Sequence, residues 1–334
     1  MTRAAGAAAG AAAAAAAAAS ASGAFAPSSG AESTFPPSAR VDSPQLDGPD
    51  APTAPGTLED LEARSGSSAA LLRTVVGSIL RPIGGWMSSA GAVELLAALD
   101  IPSSTARSAL ARLCARGVLE RSTRAGVSGY ALTPGAIPML ERGDRRIFAN
   151  RTPTADDTWC LLSYSIPENH RTRRHRLRRR LESLGCGTVS DGLWIAPAHL
   201  ADDMRDAAGD LAAPGEASLF TDVHPDSADL PSLVASWYDL GRMRAAHTSF
   251  LSRFADAPEP ATDRKAFARW IRVLDEWRVI PYVDPILPLS ALPADWPGMR
   301  STALFTVLRD ALAPRALAYA TVAAAPGGHP GGTR

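Results

Sequence analysis

The chain has 334 residues, enough for two or three domains, and its 34 basic and 34 acidic side chains give a formal charge of zero. Three widely spaced cysteines and six histidines without ligand spacing fit neither a disulfide framework nor a metal cluster. No run of roughly 18 bulky apolar residues predicts a membrane span. We therefore expect no metal, no cofactor and no membrane contact.

The formal charge of zero is the sum of segments that differ in the sign of their net charge. Residues 70–150 carry 10 arginines against 5 acidic residues, whereas 1–69 and 151–230 are acidic and 231–334 are mildly basic. Because a protein neutralises phosphates locally, one basic segment in a neutral chain is a feature to test for nucleic-acid binding. By itself it is also compatible with a solvated surface.

The first 68 residues are rich in alanine, proline and serine. This composition predicts a disordered extension, and a second disordered tail is expected at 327–334. Arg3, the alanine tract and Ala24-Phe25-Ala26 imitate a secretory signal peptide, although alanine gives only a marginal apolar core. An over-extended start codon would look the same. The segments that follow are typical of an intracellular module, so we expect a cytoplasmic protein.

Three helices are predicted after this extension. Apolar residues recur at helical spacing over 69–80 and 88–99, and Gly84-Gly85 connects the two segments. The third helix, residues 103–116, begins with Ser103-Ser104, which are good N-cap residues, and stops at Gly117. Its inward face is predicted to consist of Ala106, Ala109, Leu110 and Leu113.

A β-hairpin is predicted directly after the third helix. Residues 118–122 and 129–133 are short extended segments, and the Gly/Ser-containing turn 123–128 lies between them. Three helices followed by a hairpin indicate a winged helix-turn-helix over 69–133. The alternative is a three-helix packing module that carries arginines on its surface.

The outward face of the third helix has side chains suited to duplex DNA. Small hydroxyl residues let a helix enter the major groove, and arginine can donate to guanine or bind phosphate. An arginine in the hairpin turn can enter the adjacent minor groove. We predict base contacts from Ser104, Thr105, Arg107 and Ser108, phosphate contacts from Arg112 and Arg116, and a contact from the wing through Arg124.

The middle of the chain is predicted to be a ferredoxin-like domain over 154–228, joined to the first domain by a linker helix in 134–153. The order of its segments is β-α-β-β-α-β. The predicted segments are a strand at 158–166, a helix at 168–184, strands at 188–190 and 193–196, a helix at 199–211 and a strand at 218–223.

Residues 229–326 are predicted to be a helical domain for effector binding or dimerisation, so that the whole chain is an α+β multidomain protein. Four of the seven tryptophans lie here, on apolar stripes that favour a packed core over a ligand pocket. His247 lies on one stripe and is predicted to be packed or hydrogen-bonded. A further stripe is formed by Leu304, Leu308 and Leu312.

Several motifs together resemble the PaaX-type transcriptional regulators, in order, over about residues 70–313. They are TARSALARLCARGVLER (105–121), YALTP (130–134), RRIF (145–148), RRHRLRRRLESLG (173–185), GLWIAP (192–197), DPILP (284–288) and LPADWPG (292–298), followed by Leu304-Phe305.

The resemblance implies a repressor that is released from an operator by a small-molecule effector. Founding members of the family repress phenylacetic acid catabolism, and some members respond to acyl-CoA thioesters such as phenylacetyl-CoA, whose phosphates suit arginine. The arginine run 171–180 is also compatible with a solvated helix face. Asp275 stands where the family often has histidine, so the ligand here could differ. The candidate effector-binding residues are Arg173, Arg176, Trp277, Arg278 and Trp296.

Homodimerisation is expected because one helix contacts few base pairs. Two other classes of function stay open. A ferredoxin-like nuclease of the CRISPR-adaptation type would need an aspartate at the end of the first strand, where this chain has Ser163-Tyr164-Ser165-Ile166. No Ser/His/Asp triad, Cys/His pair or phosphate-binding loop is apparent in the sequence, so no catalytic residue is predicted. A protein-binding adaptor without DNA affinity is the other alternative.

Overall fold

The computed structural model describes residues 65–148, 157–226 and 229–327. The predicted extension up to residue 64, the end of the predicted linker helix at 149–153 and the tail from 328 lie outside the described residues. The predicted helices and strands occur in the expected order, together with one short strand that was not predicted.

The N-terminal part contains three helices and a short strand. Helix α1 (Ser68–Val75) is capped by the Ser67 hydroxyl and continues into a π-helical turn at Val76–Leu80. Strand β1 (Trp86–Ser88), which the sequence analysis did not predict, leads into helix α2 (Ser89–Ala97). The Ser88 hydroxyl caps α2 by accepting a hydrogen bond from the Gly91 amide at 2.9 Å.

Helix α3 (Ser103–Ala115) begins directly after an extended proline. Pro102 occupies the cap position and no side chain caps the helix, so the predicted N-cap role of Ser103-Ser104 is wrong. Both serines already belong to the first turn, and the Ser108 hydroxyl donates to the Ser104 carbonyl at 3.1 Å.

The hairpin is longer than predicted. Strands β2 (Leu119–Arg124) and β3 (Val127–Leu132) pair antiparallel, and β1 adds to the other side of β3 in the order β1-β3-β2. The predicted six-residue turn is wrong, because only Ala125-Gly126 leave the ladder. Both have positive φ, at 48° and 76°, as a two-residue hairpin turn requires.

The central part forms a four-stranded antiparallel sheet with two helices on one face. Its strand order is β5-β6-β4-β7, which is the split arrangement that the predicted β-α-β-β-α-β order produces. Helix α4 (Ile137–Ile147) precedes this part. Its elements are β4 (Trp159–Tyr164), α5 (Arg171–Ser183), β5 (Gly187–Ser190), β6 (Leu193–Pro197), α6 (Ala201–Leu211) and β7 (Ala217–Val223).

The C-terminal part is helical, as predicted. Its last helix continues through Pro314, and its buried face carries Phe305, Leu312 and Ala316, whereas Leu304 and Leu308 of the predicted stripe are only half-buried. The helices are α7 (Leu230–Trp237), α8 (Leu240–Phe254), α9 (Asp263–Trp277), α10 (Ile280–Val283) and α11 (Gly298–Ala324).

One hydrophobic core is shared by the N-terminal and C-terminal helices. Leu72 of α1 and Leu96 of α2 belong to the same buried cluster as Phe267 of α9 and Phe305 of α11. The central sheet packs separately on its two helices around residues such as Leu177. The helix-hairpin unit, which we define as residues 68–132 from α1 to β3, is therefore stabilised by packing on α9 and α11 as well as by its own apolar residues.

A close approach of two helix backbones joins α2 to the C-terminal end of α11. A Cβ atom added to Gly91 would collide with the Ala323 carbonyl oxygen and lie 2.8 Å from Ala324 Cα. We expect Gly91→Ala to lower the free energy of unfolding by about 1–3 kcal/mol, because neither backbone can move aside locally. Thermal and denaturant unfolding measure this change.

Gly209→Ala is the matched control for this substitution. Gly209 lies within α6, and nothing approaches within 4 Å of its added Cβ. Alanine is expected to stabilise that helix by about 0.5–1 kcal/mol. Equal effects of the two substitutions would contradict the close packing of α2 on α11.

Candidate nucleic-acid interface

Helix α3 divides cleanly into a buried and an exposed face. Ala106, Ala109, Leu110 and Leu113 are buried, which confirms the predicted inward face. They pack in the core shared with α1 and α2. The helical spacing of four apolar residues therefore turns the other side of α3 toward solvent.

The exposed face of α3 holds the side chains predicted to contact DNA. Arg107 and Arg112 are exposed, and neither forms an ion pair within the described part of the chain. Their guanidinium groups can donate to base edges or phosphates without first breaking an internal salt bridge. Thr105 is half-buried, and Ser104, Ser108 and Arg116 are exposed.

The wing, formed by β2, β3 and their turn, carries two exposed arginines along β2. Arg124, at the end of β2, lies 5.5 Å from the Trp86 ring and 3.4 Å from the Gly84 carbonyl oxygen. Arg121 lies 5.8 Å from the Tyr130 ring. Both arginines are exposed, so they add positive charge beside α3, while Ala125 and Gly126 form the tip.

Contacts from the C-terminal part orient the start of α3, and the sequence analysis missed them. Arg272 of α9 donates to the Leu99 carbonyl at 3.2 Å and to the Asp100 carboxylate at 2.8 Å. Asp100 has a left-handed φ of 64° and ends the turn before α3. The position of α3 thus depends on a residue more than 150 positions away in the sequence, as well as on local turn geometry.

Arg146 joins three parts of the structure. It extends from α4 and donates to the Pro281 carbonyl oxygen at 3.2 Å and to the Leu184 carbonyl oxygen. Its guanidinium lies 4.6 Å from the Tyr282 ring and 3.6 Å from the Asp203 carboxylate. Burial lowers the pKa of Arg146. The RRIF motif carries this residue, but no pattern in the sequence indicates its partners.

The five predicted effector residues lie in different places. Arg173 pairs with Glu216 at 3.0 Å, and Arg176 is exposed on α5. Trp277 is stacked on Phe305 with ring centroids 4.3 Å apart, inside the shared core. The Arg278 Nε donates to the Asp275 carboxylate at 3.1 Å. Trp296 packs in a separate cluster beside the central sheet.

His247 is buried and hydrogen-bonded, as predicted. Its ring nitrogens lie 2.6 Å from the Ser301 hydroxyl and 2.9 Å from the Asp284 carboxylate, an arrangement that the sequence analysis did not find. The Ser301 hydroxyl also lies 2.8 Å from the Gly298 carbonyl, and Ser301 is fully buried. Because Ser301 is buried, a substrate could not reach this hydroxyl. The hydrogen bonds of His247 with Ser301 and Asp284 instead connect α8, α11 and the loop before α11.

Comparison with known proteins gives a consistent assignment along the chain. The model described as "PaaX-like protein" matches residues 67–136. The "PaaX protein central Cas2-like domain" matches residues 152–234, and the "PaaX-like protein C-terminal domain" matches residues 238–322. The chain belongs to the PaaX family. The three matched segments of this PaaX-like protein correspond to the N-terminal, central and C-terminal parts of its structure.

Two relatives cover most of this PaaX-like protein. The transcriptional repressor PaaX of Escherichia coli (strain K12) is 25% identical over 266 residues, which are 76% of this chain and 83% of that protein. A solved structure, the uncharacterized protein Rv0674 from Mycobacterium tuberculosis, is 25% identical with a TM-score of 0.52. The match covers 76% of this chain and 99% of the mycobacterial one.

Neither a membrane-spanning helix nor a metal-binding cluster is present among the described residues. No described helix is long and apolar enough to cross a membrane. Within the same residues, no group of three or more histidine, cysteine or acidic side chains could hold a metal ion.

Proposed function

We propose that this PaaX-like protein is a cytoplasmic, DNA-binding transcriptional repressor without enzymatic activity. The observation that carries the proposal is the exposed face of α3, where Arg107 and Arg112 point away from the core. Burial of these two arginines against the chain would have removed the basis for DNA binding. The relationship to a protein named as a transcriptional repressor supports the same conclusion.

Residues 69–133 act in this proposal as a winged helix-turn-helix. Helix α3 lies in the major groove, with Ser104, Thr105, Arg107 and Ser108 at base edges. Arg112 and Arg116 bind phosphates and set the position of the helix along the duplex. The wing, formed by β2, β3 and their turn, contacts the neighbouring groove through Arg124.

Two arginine substitutions separate base contacts from phosphate contacts. Arg107→Ala is expected to weaken operator binding by about 1–3 kcal/mol and to relax discrimination at one base pair. Arg112→Ala is expected to weaken binding to operator and scrambled duplex alike and to reduce the salt slope by about one. Fluorescence anisotropy titrations at several salt concentrations measure both effects.

Arg242→Ala is the control for these titrations, because Arg242 is exposed on α8 in another part of the chain. It should leave operator affinity and salt slope unchanged. If Arg107→Ala and Arg112→Ala behaved like this control, α3 would not be the DNA-contacting helix.

The repressor is proposed to be released by an acyl-CoA thioester. Arg173 and Arg176 on α5 are cations of the type that bind CoA phosphates. The other three predicted effector residues are already packed or paired in separate places, so they do not support the proposed site. Release requires that the thioester bind one conformation more tightly than the other.

The decisive experiment is a mobility shift on the gene's own upstream intergenic DNA. We expect the full chain to retard this duplex, and one member of a panel of aryl- and acyl-CoA thioesters to release it while the free acid does not. Failure to bind the duplex, together with no salt-dependent retention on heparin, would favour the adaptor. Cleavage of the labelled duplex in magnesium would favour the nuclease.

A further inference from the structure

The turn between α2 and α3 holds an aspartate in a backbone conformation that residues other than glycine seldom adopt. Asp100 has a φ of 64°, in the left-handed region where glycine is the usual residue at the end of a helix. The chain on either side is held in place, because Leu99 and Ile101 are buried and the Ile101 amide donates to the Leu96 carbonyl at 3.0 Å. The conformation of one exposed residue therefore sets the direction in which the chain enters α3.

Arg272 of α9 contacts the two acceptor groups of this turn that depend on the conformation of Asp100. Its Nη2 atom donates to the Leu99 carbonyl oxygen at 3.2 Å and to the Asp100 carboxylate at 2.8 Å. A change of Asp100 to negative φ would rotate the peptide group between Leu99 and Asp100 and turn the Leu99 carbonyl away from the guanidinium. Glycine would adopt the left-handed φ more easily, but it has no carboxylate for Arg272. The contact therefore gives a physical reason for aspartate at position 100.

Arg272 is itself anchored in the core that the N-terminal and C-terminal helices share. Its sequence neighbours Ile271 and Val273 are fully buried, so the backbone of α9 is held in place at this point. The Arg272 side chain extends from there to the surface, where it is 43% exposed, and its partner Asp100 is 82% exposed. Because an ion pair this exposed adds little to the stability of a whole protein, its effect is local, on the conformation of one turn.

We propose that Arg272 is a positioning residue for DNA binding, which holds α3 in the orientation that its base contacts need. This inference rests on the proposed function of α3. Arg272 acts through the turn before the helix and does not itself contact the duplex. Hydrogen bonds to base edges have strict geometry, whereas the attraction of arginines to phosphates tolerates small displacements. Loss of the Arg272 contact should therefore weaken sequence-specific binding more than non-specific binding.

Hydrogen exchange of the free protein tests the contact without DNA. Peptides that cover residues 97–106 should exchange faster in Arg272→Ala than in the wild type, because the turn amides that donate to α2 carbonyls open more often. The unfolding temperature and the exchange of the core helices should stay unchanged. Arg244→Ala is the matched control, since Arg244 is 36% exposed and pairs with Asp295 at the same 2.8 Å, away from α3. This variant should leave the exchange of residues 97–106 unchanged.

Titration with duplex DNA tests the positioning role. Arg272→Ala should weaken binding to the gene's upstream duplex by about threefold to tenfold. Its affinity for a scrambled duplex and its salt slope should equal those of the wild type, because no phosphate contact is lost. An arginine that contacts phosphate directly would instead weaken binding to both duplexes and lower the salt slope by about one. Arg244→Ala should bind both duplexes like the wild type.

Two further variants relate the effect to the pair of residues. Arg272→Lys keeps a cation that can donate to the same acceptors, although without a planar fork, so it should recover part of the affinity that Arg272→Ala loses. Asp100→Asn removes the charge but keeps a residue type that tolerates the left-handed region. Combined with Arg272→Ala, it should weaken binding no further than Arg272→Ala alone, because both residues act through one contact. Additive losses would contradict the pair.

The two proposals can fail separately. Wild-type protein that does not retard its upstream duplex would remove the repressor and with it any role of Arg272 in DNA binding, whatever the exchange experiment shows about the turn. Wild-type protein that binds the duplex, together with an Arg272→Ala variant of equal affinity, would retain the repressor and remove the positioning role. A lower salt slope in Arg272→Ala would also overturn that role, since Arg272 would then contact phosphate directly.

Discussion

Phe305→Ala is expected to lower the free energy of unfolding by about 3–5 kcal/mol. Phe305 is 3% exposed and lies where α8, α9 and α11 meet. Its ring is stacked on Trp277 at 4.3 Å, lies 6.0 Å from Trp270 and 6.5 Å from Phe250. Truncation would remove these contacts and leave a cavity, because three large rings cannot collapse into the space.

Urea unfolding followed by tryptophan fluorescence and by circular dichroism measures this loss. The matched control is Phe220→Ala, since Phe220 is 54% exposed on β7 and should cost much less. Since α1 and α2 share the core with Phe305, the loss should be cooperative and include the helix-hairpin unit. If the helix-hairpin unit kept its unfolding midpoint while the C-terminal helices lost theirs, the shared core would be wrong.

The face of α3 could be predicted from sequence because it depends on local spacing. Four apolar residues at intervals of three and four define one side of a helix, and the remaining positions must lie on the other. The exposed arginines follow from the same pattern. The β-α-β-β-α-β order was also predicted, from apolar runs such as 158–166 and from the helical spacing of Leu177, Leu181 and Leu184.

Strand β1 could not be predicted in this way. Trp86–Ser88 is too short to show alternation, and it becomes a strand only through pairing with β3, more than 40 residues later. The hairpin turn was missed for a related reason. Ala125 adopts a left-handed conformation that alanine rarely takes, so its identity does not indicate a two-residue turn.

The contacts that hold the candidate interface in position were not predicted, because they join residues that are far apart in the sequence. Asp275 illustrates this point. The sequence analysis noted it as a departure from the family and considered a ligand contact. In the structure its carboxylate accepts from Thr74, 201 positions away, and from the Gly66 amide. Spacing along one helix contains no information on either partner.

Asp275→Ala is expected to lower the free energy of unfolding by about 3–5 kcal/mol. Asp275 is 1% exposed and accepts hydrogen bonds from Gly66 at 2.7 Å, Thr74 at 2.9 Å and Arg278 at 3.1 Å. Alanine would leave the Arg278 guanidinium, 14% exposed, without its carboxylate. Asp275→Asn keeps an acceptor of the same size, so it should cost less, about 1–3 kcal/mol.

The control for Asp275 is Asp295→Ala, which also removes an aspartate from an arginine pair. Asp295 is 78% exposed and contacts Arg244 at 2.8 Å, so its loss should change stability little. Thermal unfolding of the three variants should give the order Asp295→Ala, Asp275→Asn, Asp275→Ala from most to least stable. If Asp275→Ala unfolded at the same temperature as Asp295→Ala, the Asp275 carboxylate would not be what holds α1 on α9.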